Sequence, residues 1–235
     1  MRKKVTRSEF RRIATDEVLT RFGPLGFTEY DACAFGRERD AFIEGFGLSP
    51  DLSVMQFYVS VGFLIPALWD RERFILGGHS PGFEISHRLG HFRNNLTGLQ
   101  TPYHFYTASE LRACFNKVYT DFEEQALPWL EKFPTLEDVI AEYYRYRIGP
   151  PPGGEKRQPD PFGWAIYGWM LEELGRTEES HEWLTRSYEQ LRRTTYMKDG
   201  ITVAEGTKGS QAVPPSPEQQ RLNQLLRQSL QMPKA

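Results

Sequence analysis

The sequence predicts an α+β fold, an antiparallel sheet of about five strands with an N-terminal helix before it and a C-terminal helical array after it. Two changes of rhythm carry that expectation. Apolar residues recur at helical spacing up to Phe22, then fall into short aromatic and β-branched runs as far as residue 107. Beyond 107 the period changes from 2 to 3.6, with breaks rich in Pro and Gly. The chain has 235 residues, 39% of them hydrophobic and 14% aromatic, so a core of that size can be built.

The first helix opens on Thr6, which has capping-box spacing to Glu9, and its apolar stripe is Phe10, Ile13, Ala14, Val18 and Phe22. Gly23-Pro24 stops it. YDACAFGR (30–37) and AFIEGFGL (41–48) read as two arms of a hairpin. VMQFYVSVGFLI (54–65) is the clearest strand, because Val59, Val61 and Phe63 alternate with Tyr58, Ser60 and Gly62, and Pro66 ends the run. RFIL (73–76), FEISHRLGHF (83–92) and PYHFYT (102–107) are read as shorter strands.

Thr107 and Glu110 form a second capping box, followed by Leu111, Phe115, Val118 and Phe122; Thr135 opens a helix carrying Leu136, Val139, Ile140 and Tyr143. The Pro/Gly-rich stretch 149–160 then separates a sheet domain, 1–148, from a helical extension, 161–235, expected to pack on it. Asp160-Pro161 is an N-cap and first-turn pair. The helix from 161 to 174 ends at Gly175, and Thr177 caps another that runs to about 193. Residues 195–215 read as a mobile loop, and Ser216-Pro217-Glu218-Gln219 opens a last helix with Leu222, Leu225, Leu226 and Leu230. YGWMLEELGRTEESHEWL is loosely similar to a tetratricopeptide unit, but one unit cannot bury its own face and no second copy appears. A plain helical hairpin is the better reading.

Composition narrows the function. A net charge of −2 gives no overall field toward nucleic acid or anionic membrane, and no run of about 18 apolar residues is present. No apolar stretch follows the basic start MRKKVTRSEFRR, so a secretory signal is not expected. Cys33 and Cys114 read as reduced thiols of a cytoplasmic protein.

GHSPG (78–82) fits the G-x-S-x-G pattern of serine hydrolases. That chemistry needs the backbone N–H of the residue after the serine, and here the residue is Pro81, which has none. The next stretch, FEISHRLGHF, reads as strand where a helix is required, so GHSPG is expected to be a connector. His79, His87, His91 and His104 fall within 26 positions. A zinc peptidase would need H-E-x-x-H on a helix, and position 88 is Arg. A metal site from His87, His91 and His104 on neighbouring strands is conceivable; structural histidines on a sheet face are the commoner case. There is no phosphate loop, CxxC or dinucleotide glycine pattern, and no cofactor is expected. In YYRYR (143–147) the tyrosines read as core edge and the arginines as solvent-facing. Glu123-Glu124 and Glu172-Glu173 are neighbours about 100° apart on helices, not acid/base couples.

Several of these stretches resemble the bacterial domain of unknown function DUF4304, over residues of about 8–145. GPLGFTEYDACAFGRER is similar to its Leu-Gly-Phe turn and following strand with Phe and Arg. FYVSVGFLIPAL is similar to its central strand, HRLGHF to its Arg-[Ile/Leu]-Gly strand, and LPWLEKFPTLEDVIAEY to its Pro-aromatic helix end. The sequence departs where an aromatic pair often follows the Arg-x-Gly strand and YHFYT stands instead. The resemblance transfers no catalytic residues. It implies that Arg88 and Gly90 are the pattern residues of HRLGH, with Arg88 pairing a carboxylate or facing a concave ligand site.

By analogy at the level of fold, the expected function is a non-catalytic, immunity- or inhibitor-like binding protein whose partner is another protein. Its surface would be the open sheet face with Tyr58, Tyr103, Phe105, Tyr106 and Arg88, since aromatics are favoured at interfaces. The same rings under the helices would be structural. The alternative is a ligand or metal pocket around His87, Arg88, His91 and His104.

Overall fold

The computed structural model describes residues 4–77, 85–88, 102–150, 160–193, 195–198, 201–203 and 211–231, with backbone alone for 85–88, 195–198 and 201–203. GHSPG, His79 and His91 lie outside the described residues. The chain divides into two units, Met1–Pro66 with Gly82–Val139, and Ala67–Pro81 with Ile140–Ala235.

The first unit is an antiparallel sheet under two long helices. α1 (Arg7–Phe22) begins where the Thr6 hydroxyl accepts the Glu9 N–H, and its whole predicted stripe, Phe10, Ile13, Ala14, Val18 and Phe22, is buried. Five strands follow in the order β1 (Thr28–Asp31), β2 (Ala34–Arg39), β3 (Phe42–Asp51), β4 (Gln56–Leu64) and β5 (Ile85–Arg88), each hydrogen-bonded to the next. β6 (Tyr103–His104) also pairs with β4. The register puts Phe46 opposite Val61, Leu48 opposite Val59 and Phe35 opposite Phe46. One face is thereby apolar, and α1 and α3 (Ala108–Asp121) cover it. Phe10 meets Phe57 at 5.5 Å, Phe22 meets Phe46 at 4.9 Å, and Phe115 stacks on Phe57 at 5.6 Å. Each such ring contributes about 2 kcal/mol of burial energy. The Thr107/Glu110 capping box is complete, and α3 runs on through a π-helical turn, Phe122–Ala126, into α4 (Leu127–Leu130).

Three sequence readings change in this part of the chain. YDACAFGR is not one arm of a hairpin: it contains a tight turn at Ala32-Cys33 and belongs to β1 and β2. Cys33 makes that turn at φ +60, a left-handed conformation that the sequence gives no Gly or Asn to announce. RFIL is helical, within α2 (Trp69–Ile75), whose buried residues are Glu72 and Ile75. Of PYHFYT, only Tyr103–His104 is strand.

The second unit is built on α6 (Pro161–Glu173) and α7 (Thr177–Leu191), entered through α5 (Leu136–Tyr143). Asp160 caps α6 by accepting from Gly163 N–H. Six of the seven residues from Ala165 to Leu171 are buried, so α6 is the central helix of the unit. Gly168 lets α7 approach: a Cβ there would stand 2.9 Å from Leu184 carbons. α7 is capped at Arg176 without a side-chain bond, so Thr177 is its first residue and not its cap. α8 (Pro217–Ser229) has the predicted Ser216 capping box and buries Leu222 and Leu226; Trp169 Nε1 donates to Ser229 Oγ at 3.1 Å. Arg221 Nε donates to the Ile75 carbonyl at the end of α2. The described residues of 195–213 include strands: β7 (Thr195–Lys198) pairs antiparallel with β8 (Ile201–Val203) and β9 (Gln211–Val213).

Candidate functional site

The turn after α1 prepares a buried charge cluster in the sheet. Gly26 takes φ +90, and a Cβ there would stand 3.3 Å from the Arg37 side chain. Only glycine suits that combination. Phe27, next in the chain, places its ring 5.3 Å from the Arg37 guanidinium. On β3 directly opposite Arg37 stands Glu44, only 1% exposed. Arg37 donates from Nε and Nη2 to Glu44 Oε2 at 3.0 and 2.5 Å, and Arg39 Nε donates to Oε1 at 2.8 Å. This triad explains the Leu-Gly-Phe turn and the Arg-bearing strand as one structural device. Its carboxylate is spent on internal bonds.

The predicted aromatic surface separates into parts. Tyr103 is 4% exposed and Phe105 is 1% exposed, both in the core under α1 and α3. The Tyr103 hydroxyl donates to Asp121 Oδ2 at 2.8 Å; Lys117 Nζ reaches the same oxygen at 2.8 Å, and Gln125 Nε2 donates to Oδ1 at 3.2 Å. Tyr58 is half-buried on β4 opposite Ser49, with its hydroxyl accepting from Gln56 at 3.0 Å. Tyr106 alone of the four is well exposed, at 62%.

The histidines also part. His87 lies in register with Val61 and Arg88 with Ser60, while His104 lies opposite Gln56. His87 and His104 are therefore paired with β4 residues five positions apart, roughly 16 Å along the strand. The His104 carbonyl accepts from the Cys114 thiol at 3.1 Å. Among the described residues no three His, Cys, Asp or Glu side chains gather as metal ligands.

A cleft that the sequence did not reveal opens beside the Cys33 turn. About 960 Å³ in volume, it is lined by Arg7, Ser8, Phe10 and Arg11 of α1, by Ala32 and Cys33, and by Leu48–Pro50 of β3. The Leu48 N–H donates to the Cys33 carbonyl at 2.8 Å and fixes the wall. Burial pushes the Cys33 thiol up, against the pull of Arg11 and Arg7, so at neutral pH it is a thiol and not a nucleophilic thiolate. The only sequence signal was the unbalanced basic start of α1; the strained turn had none.

In the second unit, Tyr143 is buried and stacks parallel to Tyr167 at 6.4 Å, while Tyr144 and Tyr146 are more exposed than the core-edge reading expected. Arg186 lies 4.6 Å from the Trp183 ring, and Arg147 Nε pairs with the capping residue Asp160 at 2.7 Å.

An antiparallel sheet packed under α1 and α3, with a buried Arg37–Glu44–Arg39 triad and a cleft at the start of its first helix, defines a class of α+β protein. Residues 19–132 match the domain of unknown function DUF4304, to which that part of the chain is similar. No curated protein matches the chain, and no solved structure does. Among the described residues no helix is long and apolar enough to cross a membrane.

Proposed function

We propose that the protein is a non-catalytic, inhibitor- or immunity-like module that binds another protein. The observation that carries the reading is a pair of exposed apolar side chains at one end of the first unit. Tyr106 is 62% exposed and Val54 is 55% exposed. The Phe105 N–H donates to the Met55 carbonyl at 3.0 Å, which holds their two loops side by side. Large apolar groups left in water on a rigid frame are characteristic of interface anchors. The buried carboxylates of the same unit, Glu44 and Asp121, are engaged by Arg37, Arg39, Tyr103 and Lys117, which supports binding over catalysis.

The test is photo-crosslinking in the cells that make the protein, with benzoylphenylalanine at position 106 and, as control, at the exposed position 20 on α1. One discrete protein adduct specific to position 106 is the expected result. Equal or absent adducts at both positions would overturn the reading.

A further inference from the structure

We propose that the cleft between α1, the Ala32-Cys33 turn and the end of β3 is a binding site for a small organic anion, an apolar body carrying one carboxylate or sulfonate head. The site goes beyond protein binding, and neither depends on the other.

The cleft has the build such a ligand needs. Its volume, about 960 Å³, is at the upper end of the range for small-molecule pockets. The floor is apolar: the Phe10 ring and Leu48 are buried, and Pro50 and Ala32 extend the surface. The polar groups are few and gathered, with the hydroxyls of Ser8 and Ser49 and the Cys33 thiol offering donors. Arg7 and Arg11 stand four residues apart on α1, so their guanidiniums share one side of the opening.

The charges behind the cleft are mostly engaged. Glu29 accepts from Arg11 Nη2 across a long 3.5 Å contact, and Asp31 accepts the Ala32 N–H at 2.6 Å. Arg7 forms no ion pair among the described residues. One guanidinium without an ion pair among the described residues and one weakly held one, over an apolar floor, favour an anionic head above an apolar body.

The walls are preformed. Phe10 is locked against Phe57 and Phe105, and the Cys33 turn is held at φ +60 by its bond to Leu48. A non-glycine residue kept in that conformation stores strain, and such strain gathers where a wall must be aimed at a ligand.

Anilinonaphthalene sulfonate is the probe, and N-phenylnaphthylamine, the same body without the charge, is its control. Cys33 and Cys114 are the only cysteines, so in a Cys114→Ser background the thiol of Cys33 reports occupancy through its labelling by uncharged bromobimane. The sulfonate should bind saturably and slow Cys33 labelling several-fold. Arg7→Gln with Arg11→Gln should weaken it about tenfold, equal to about 1.4 kcal/mol, without altering the circular dichroism spectrum. The neutral control should bind the parent at least about tenfold more weakly than the sulfonate does. No saturable binding, binding that leaves Cys33 labelling unchanged, or protection indifferent to both arginines would each overturn the proposal.

Discussion

Glu44 in the sheet unit and Glu72 in the helical unit are both buried glutamates, 1% and 8% exposed, and the protein treats them in opposite ways. Glu44 faces two guanidiniums, one of them braced by the Phe27 ring. Glu72 forms no ion pair among the described residues. Arg71, beside it in the chain, is committed to Glu172 and the Trp169 ring, and Arg221 of α8 to Glu218 and the Ile75 carbonyl. Burial without a cation pushes the Glu72 carboxyl up to about 7. The other two buried carboxylates among the described residues, Asp121 and Glu142, have Lys117 and Arg145 as partners. Glu72 is thus the exception, and the difference teaches that burial alone does not fix what a carboxylate does; the supply of cations on the neighbouring strand or helix does.

The largest effect expected is at Glu44. Glu44→Gln leaves two guanidiniums side by side with no counter-charge, and should cost about 3 kcal/mol of stability. The measurement is the urea midpoint of the sheet unit, followed by hydrogen exchange on β3 and β4. A loss below about 1 kcal/mol would show that water already screens the triad, and the contrast with Glu72 would vanish.

Glu72 gives the opposite sign. Its folded value, about 7, lies above the ordinary 4.5, so the folded state holds a proton that the unfolded chain releases. The stability from this group is fully present below pH 4.5, falls as pH rises toward 7, and is gone above it. Glu72→Gln should therefore match the parent at pH 4.5 and exceed it at pH 8 by about 2–3 kcal/mol. Four of the five tryptophans, Trp69, Trp164, Trp169 and Trp183, lie in the helical unit, so fluorescence-detected unfolding reads the relevant region. A substitution that destabilises at every pH would mean Glu72 acts as an ionised partner and not as a neutral buried acid.

The same contrast explains what the sequence could disclose. α1, α3 and α8 announce themselves because apolar residues at helical spacing dominate their buried stripes and their caps are Thr6, Thr107 and Ser216. β4 is legible from strict alternation. α2 is not, because its buried side carries Glu72 where the pattern needs an apolar residue, and the remaining Arg-Phe-Ile-Leu run has strand composition. The Ala32-Cys33 turn is hidden because nothing at Cys33 signals a positive φ, and with it the cleft stays hidden. Tyr103 and Phe105 could not be assigned to core or surface, since a two-residue strand carries no readable alternation. The Leu-Gly-Phe turn was recognisable as a pattern; that its purpose is to seat Arg37 against Glu44 required the register of β2 on β3.

The smallest effect tests how many cations a buried carboxylate needs. Arg37 gives Glu44 two N–H groups, rests on Phe27 and is only 21% exposed; Arg39 gives one and is 41% exposed. Arg39→Met keeps the apolar stem and removes one charge-assisted bond half open to water, so it should cost about 1 kcal/mol or less. Arg37→Met should cost about twice that, because it also removes the cation over the Phe27 ring and leaves one side of the carboxylate without a partner. If the two losses are equal, Glu44 is held by the sum of two equivalent charges, and geometry does not matter. If Arg39→Met is mild and Arg37→Met is not, one well-placed guanidinium is what separates Glu44 from Glu72.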